Sequence, residues 1–323
     1  MRPIEFATPT SVDDAVRRFG SGSAYLAGGT TLVDLMKLDV VTPQQVLDID
    51  RLPLRGLRQD RDGLHIAALE RMSDVAAHPD VTQAYPVISQ ALMASASPQL
   101  RNMASIGGNL LQRTRCSYFR DITVACNKRV PGSGCPAREG VNRGHAIFGT
   151  SDACVATHAS DLAVALVAMD ASVALTGRNG TRVLRLEDFY RLPGSTPESE
   201  NELAPGEIIT EVLVPPLPWA RRSTYVKVRD RQSYEFALTS AAVAVDLRGD
   251  VVADARVAAG GVGTKPWRLR TVEQALVGRR LNETDVRAAV EHAADGAAPL
   301  KFNMFKPALL RMTIARALMS LVS

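Results

Sequence analysis

The sequence predicts an α+β protein built as two domains. Three observations carry that expectation. The first 55 residues alternate strand, helix and strand, as a small α/β lobe does. The segment Pro215-Pro216-Leu217-Pro218 reads as a linker between a longer and a shorter part. Beyond it, strand patterns come first and helical patterns gather at the end. The expected division is 1–217, with lobes 1–55 and 56–217, followed by 218–323.

In the first lobe, Ser11 is placed to cap a helix over about Val12 to Phe19. Ala24 to Ala27 reads as a short buried strand and Gly28-Gly29-Thr30-Thr31 as a turn. Leu32 to Leu38 has helical spacing, and Val46 to Ile49 reads as a strand. The second lobe starts near Gly56. Leu64 to Ala68 reads as a strand and Val87 to Ala96 as a buried helix. Residues 111–158 show little periodicity and carry the turn signal Pro131-Gly132-Ser133-Gly134. Loops of that length are usually functional or disordered, and the cysteines argue against disorder. Ser160-Asp161 caps an apolar helix, Leu162 to Met169, and strands follow at Ser172–Leu175, Arg182–Leu186 and Ile208–Val214. Past the linker, Tyr225–Val228 and Ser240–Asp246 read as strands. A hairpin turn leads to Val251–Ala259, and the tail from Val272 is helical in three pieces.

A chain of 323 residues with 46% apolar and 22% charged residues has room for a sizeable core. No apolar run reaches the roughly 20 residues that span a bilayer, so membrane insertion is not expected. The start Met1-Arg2-Pro3-Ile4-Glu5-Phe6 shows no signal-peptide pattern, so the expectation is synthesis in the cytoplasm and export only with a signal-bearing partner. The net charge of +4 is unevenly spread: seven Lys or Arg stand between Arg113 and Arg143 against Asp121 and Glu139. Such a stretch suits nucleic acid, an anionic metal cluster, or simply a solvated loop.

Two glycine turns suit phosphate. Gly28-Gly29-Thr30 lies between a strand and a helix, where backbone N–H groups can approach an anion. Its spacing is not that of the dinucleotide-binding G-x-G-x-x-G. Ser105-Ile106-Gly107-Gly108-Asn109 is a second turn, with Ser and Asn able to add side-chain hydrogen bonds. Together they favour an extended ligand with a pyrophosphate.

All four cysteines, Cys116, Cys126, Cys135 and Cys154, fall in the aperiodic segment at gaps of 9, 8 and 18 residues. No C-x2–4-C pair is present, which weighs against structural zinc, although His158 could complete a mixed site. A cubane iron–sulfur cluster, zinc and free thiols all remain open on spacing. His65, His78, His145 and His292 read as ordinary residues. No acid–base constellation stands out, which points to a cofactor for the chemistry.

These residues resemble a known family. Leu26-Ala27-Gly28-Gly29-Thr30-Thr31-Leu32, Gln99-Leu100-Arg101-Asn102 running into Ile106-Gly107-Gly108-Asn109-Leu110, Ser160-Asp161-Leu162, Gly206-Glu207-Ile208-Ile209, Lys227 and Gly260-Gly261-Val262-Gly263 are similar to the FAD-binding subunit of the molybdenum hydroxylases, the xanthine dehydrogenase family. The branch it most resembles is the middle subunit of aldehyde oxidoreductases of periplasmic type. The resemblance implies a two-lobed FAD-binding domain followed by a small α+β domain. It implies FAD contacts from Leu26, Ala27, Gly28, Gly29, Thr30, Thr31 and Leu32, from Ser105, Gly107, Gly108 and Asn109, and from Asp161, Ile209 and Lys227. Most members join Gly-Gly-Asn to the Ser-Asp-Leu helix by a short loop. The insert 111–158 is shared with a branch that holds a [4Fe–4S] cluster on four cysteines. Reductases of hydroxybenzoyl-CoA type carry a cluster at the same position.

The implied role is electron transfer. A molybdenum-cofactor large subunit would oxidise an aldehyde to a carboxylic acid, a [2Fe–2S] small subunit would pass electrons on, and FAD here would reduce an external acceptor. The implied location is the periplasm, reached by co-export. Three alternatives are the equivalent subunit of another molybdenum hydroxylase of hydroxybenzoyl-CoA reductase type, a free-standing flavoprotein reductase, and a zinc–cysteine module binding nucleic acid through Arg113–Arg143.

Overall fold

The computed structural model describes residues 2–322 as three sheets with helices between them. The first lobe holds β1 (Glu5–Ala7), α1 (Val12–Arg18), β2 (Ser23–Leu26), α2 (Leu32–Lys37) and β3 (Gln45–Asp48), with parallel strands in the order β1-β3-β2. Ser11 caps α1 as expected, its hydroxyl accepting from the Asp14 N–H at 3.0 Å. Asp13 and Asp14 sit in the first turn and Arg17 and Arg18 in the last, matching the helix dipole. Strand β2 is half-buried rather than buried, because this three-stranded sheet is small.

The second lobe begins with the hairpin β4 (Leu57–Asp60) and β5 (Gly63–Ala67). Helices α3 (Met72–Ala77), α4 (Pro79–Ala84), α5 (Pro86–Ala94), α6 (Pro98–Met103), α7 (Ile106–Leu110), α8 (Ser117–Arg120) and α9 (Asp161–Ala168) follow, then β6 (Ser172–Gly177), β7 (Gly180–Arg185), α10 (Leu186–Phe189) and β8 (Ile208–Val214). The five strands are antiparallel in the order β4-β5-β8-β6-β7. Strands β1 and β4 were not anticipated. Each is short and exposed, so neither carries the apolar alternation that marks a strand.

The C-terminal part holds β9 (Ser223–Val228), β10 (Thr239–Arg248), β11 (Val251–Gly260) and β12 (Trp267–Arg268), then α11 (Arg270–Leu276), α12 (Glu283–Val290) and α13 (Lys306–Met319). Its sheet is antiparallel, and alternate residues of β10 face opposite cores. Ala241, Val243 and Val245 meet Val272, Leu276, Leu310 and Ile314 of the terminal helices. Burying a side chain such as Leu310 contributes roughly 1.5–3 kcal/mol, so this face holds α13, whose N-cap Phe305 makes no side-chain bond. Ala242, Ala244 and Ala258 face the other way, onto the core around α9. Every residue of α9 is buried, and small residues let it approach: a Cβ on Gly260 would lie 2.6 Å from a methyl of Val164.

The segment 111–158 contains only α8 and one 3-10 turn, Pro136–Arg138. It is nevertheless tied into the C-terminal core. Ile147 and Phe148 both donate to the Val262 carbonyl, at 2.7 and 3.0 Å, and Phe148 stacks on Trp267. The insert is therefore shared between the two expected domains. No helix among the described residues is long and apolar enough to cross a membrane.

Candidate functional site

Two clefts meet at the glycine turns. One, of about 280 Å3, is lined by Ala27 to Leu32, Ser105, Gly107, Gly108, Ile208 and Ile209. The other, of about 410 Å3, is lined by Thr30, Thr31, Gly108, Asn109, Asp161, Lys227, Tyr234 and Phe236. Thr30, Thr31 and Gly108 border both, so an elongated ligand spanning the clefts would narrow at that point.

The two turns, alike in sequence, differ in hydrogen bonding. In the first, the N–H groups of Gly28, Gly29, Thr30, Thr31 and Leu32 find no acceptor among the described residues. Five consecutive free donors at a helix start form a nest for an anion. Gly28 is required here because a Cβ would lie 1.9 Å from the Met103 carbonyl, and Gly29 adopts φ +72. In the second turn the four N–H groups from Ile106 to Asn109 are occupied. Ile106 donates to the Glu70 carbonyl, Gly107 to the Ala68 carbonyl, Gly108 to the Ser105 hydroxyl and Asn109 to the Ser105 carbonyl. The Asn109 amide oxygen accepts from the Ser160 hydroxyl at 2.5 Å. The second turn therefore offers fewer free backbone donors than the first, and its Asn109 side chain is held within the fold. The second turn supplies shape: a Cβ on Gly107 would press to 3.0 Å from that of Ala68. Leu26 borders neither cleft and packs beneath the first turn.

Asp161 and Lys227 come together deep in the larger cleft. Lys227 Nζ donates to Asp161 Oδ2 at 2.8 Å and to the Ala94 carbonyl at 3.1 Å. Tyr225 donates to Asp161 Oδ1 at 2.6 Å, and Ser95 to Oδ2 at 3.1 Å. Burial and the Asp161 charge hold the Tyr225 phenol well above its ordinary range. Asp161 is therefore fixed on both oxygens, while Lys227 keeps a third ammonium proton for the cleft. Sequence reasoning missed Tyr225, Tyr234, Phe236 and Asp34, none of which lies in a recognisable motif.

The four cysteines line one small cavity with Phe119, Ala125, Lys128, Pro136, Ala137, Ala153 and Ala156. None is in a disulfide. Asn127 ties their loops together: its side chain accepts from Gly134 N at 2.6 Å and donates to the Ala153 carbonyl at 3.0 Å. Burial pushes the Cys116 thiol up to about 12, opposed by N–H groups of Phe119 and Tyr118 directed at its sulfur. No three His, Cys, Asp or Glu among the described residues are placed to hold a single metal ion. His158 does not join the cysteines. It is half-buried, its ring meets Tyr190 edge-on, and burial lowers its pKa to about 3. His145, read as ordinary, instead brings Nε2 to 3.2 Å from the Cys116 sulfur.

The cations of the basic stretch find partners within the chain. Arg113 and Lys128 pair with Glu200, Arg115 and Arg120 with Asp34, Arg138 with Asp152 and Arg143 with Asp230. Arg129 donates to the carbonyls of Tyr118 and Phe119. The local charge excess therefore offers no support for the nucleic-acid reading.

Comparison with known proteins bears on the clefts at the glycine turns. Residues 2–217 match the family described as FAD binding domain in molybdopterin dehydrogenase, and residues 224–321 the CO dehydrogenase flavoprotein C-terminal domain. The chain is 46% identical over 299 residues to the aldehyde oxidoreductase FAD-binding subunit PaoB of Escherichia coli (strain K12), covering 92% of this chain and 91% of that one. It is 29% identical to the glyceraldehyde dehydrogenase medium chain of Sulfolobus acidocaldarius, covering 81% and 76%. Among solved structures, the carbon monoxide dehydrogenase of Hydrogenophaga pseudoflava superposes with a TM-score of 0.76 at 26% identity, covering 98% and 97%. That of Oligotropha carboxidovorans gives 0.76 at 22%, covering 98% and 96%, a likeness of fold alone.

Proposed function

The chain belongs to the family of FAD-binding subunits of the molybdenum hydroxylases, and from that premise we propose that it is the electron-transfer flavoprotein subunit of an aldehyde oxidoreductase. The observation that carries the reading is the row of free N–H groups from Gly28 to Leu32, opening at the junction of two clefts. A pyrophosphate needs such donors, and a dinucleotide needs room on both sides of it.

Bound FAD supplies the redox chemistry, taking up and releasing electrons. The residues of this chain hold and orient it. Gly28–Leu32 would bind the pyrophosphate, and Ile209 and Gly107 would form the floor of the smaller cleft. Lys227, fixed by Asp161 and the Ala94 carbonyl, would present one N–H to the flavin end. Aldehyde oxidation would take place on a molybdenum-cofactor large subunit, with a [2Fe–2S] small subunit between the centres. Placement in the periplasm, through a partner's signal, rests on the resemblance alone.

A second part of the proposal is that Cys116, Cys126, Cys135 and Cys154 ligate one [4Fe–4S] cluster. Four thiols converge on one cavity with apolar walls, and the Ala156 N–H donates to the Cys154 sulfur at 3.5 Å, a kind of bond that tunes cluster sites. The test is the composition of the purified complex: one FAD, with iron and acid-labile sulfide in equal amounts assignable to this chain. Zinc without sulfide would overturn the cluster, and absence of flavin would overturn the reading as a whole.

A further inference from the structure

His145 stands in a frame of buried polar side chains. Its N–H donates to the Asn142 carbonyl at 3.0 Å. Its carbonyl accepts from Asn303 Nδ2 at 3.1 Å and from Lys306 Nζ at 2.8 Å. Asn142 donates to the carbonyls of Ala137 and Arg138, just after Cys135, and accepts from the Phe302 N–H at 3.0 Å. Lys306 also donates to the Gly261 carbonyl at 2.6 Å, and Asn303 accepts from Leu300 N at 2.6 Å. Asn142, Asn303 and Lys306 are each 0% exposed. Burying three such groups is unfavourable unless each is satisfied, and here two of them are satisfied by the His145 carbonyl. The C-terminal helix thereby fixes the backbone from which this imidazole projects.

That imidazole is aimed at one ligand. Nε2 lies 3.2 Å from the Cys116 sulfur, while Nδ1 has no partner among the described residues. A thiolate can only accept, so the neutral ring carries its proton on Nε2. We infer that His145 is a positioning residue whose Nε2–H donates to the Cys116 sulfur and thereby raises the reduction potential of the cluster held by the four cysteines. The inference rests on the [4Fe–4S] reading above. When the cluster accepts one electron from an external reductant it becomes one unit more negative, with no bond broken and no proton lost. A donor at a ligand sulfur stabilises that form more than the oxidised one.

The experiment is a dithionite titration of the intact complex, followed by the EPR signal of the reduced cubane, alongside iron and sulfide analysis. His145→Phe should retain iron and sulfide yet shift the midpoint to lower potential. His145→Gln, whose side-chain amide can donate, should recover much of the shift, and the flavin midpoint should stay unchanged in both. An unchanged cluster midpoint in His145→Phe would overturn the inference while leaving the cluster in place. Wild-type complex without iron and sulfide on this chain would remove the cluster reading, and the inference with it. Should His145→Phe fail to assemble, pulsed EPR on wild-type complex decides. An exchangeable proton and a weakly coupled histidine nitrogen support the hydrogen bond. A strongly coupled nitrogen, or none, overturns it.

Discussion

Gly28 and Met103 are in contact so close that no side chain fits between them: a Cβ on Gly28 would lie 1.9 Å from the Met103 carbonyl oxygen. The anion nest of the first lobe is thus seated directly on the end of α6 in the second. Gly28→Ala should push the two apart, lower the thermal midpoint and strip the protein of most of its FAD. Flavin released by denaturation, measured per chain, checks this. Gly108→Ala should be milder. Its Cβ meets only the Ser105 hydroxyl, at 2.8 Å, and its N–H already has a partner. Equal flavin loss in the two variants would contradict the division of labour between the turns.

The Lys227–Asp161 pair is 4% and 8% exposed at the side chains. Removing one partner of a buried pair costs about 3–5 kcal/mol, because the other charge is left without a counterion. Lys227→Met should fall near the lower end, since Tyr225 and Ser95 still donate to Asp161. Adding Asp161→Asn should restore part of the loss. Urea unfolding of the single and double variants measures it, and additive losses would show that the pair is not coupled.

Asp34 links the insert to the first lobe. Hydrogen bonding to Arg120, then the charges of Arg120 and Arg115, hold its carboxyl below the ordinary 3.8. A depressed folded pKa contributes stability above the unfolded value and loses it as pH falls through the folded one. Residues 111–158 should therefore become more sensitive to an acid-active protease only below about pH 4, near where free Asp protonates. Asp34→Asn should show raised sensitivity at neutral pH and a smaller change on acidification. The side chain is 36% exposed, so solvent screening keeps the effect modest.

Cys135→Ser should lower the iron content and expose 111–158 to proteolysis, because thiolate ligation couples metal binding to local folding. Iron analysis and limited digestion check both. Normal iron with a normal digestion pattern would separate Cys135 from the cluster.

Much of this fold is legible in the sequence. The capped helices α1 and α9, strand β8, the three terminal helices and the segregation of the cysteines all follow from local signals. What local signals could not show is partnership across long separations. Arg115 meets Asp34, and Lys128 meets Glu200, so a stretch that reads as a free basic loop is largely paired within the chain. The turns at Gly28 and Gly108 look equivalent, yet the acceptors at Ala68 and Glu70 that occupy the second come from another segment. His158 stood four residues from a cysteine and packed elsewhere, whereas His145 was delivered to Cys116 by α13.

The most direct test of the electron-transfer role compares the intact complex with the same complex freed of FAD. Aldehyde should bleach the flavin in the first, and electrons should reach the external acceptor. In the second, aldehyde should still reduce the molybdenum centre while transfer to that acceptor stops. Transfer at the native rate without flavin would contradict the account and make the cysteine-bound centre the exit for electrons.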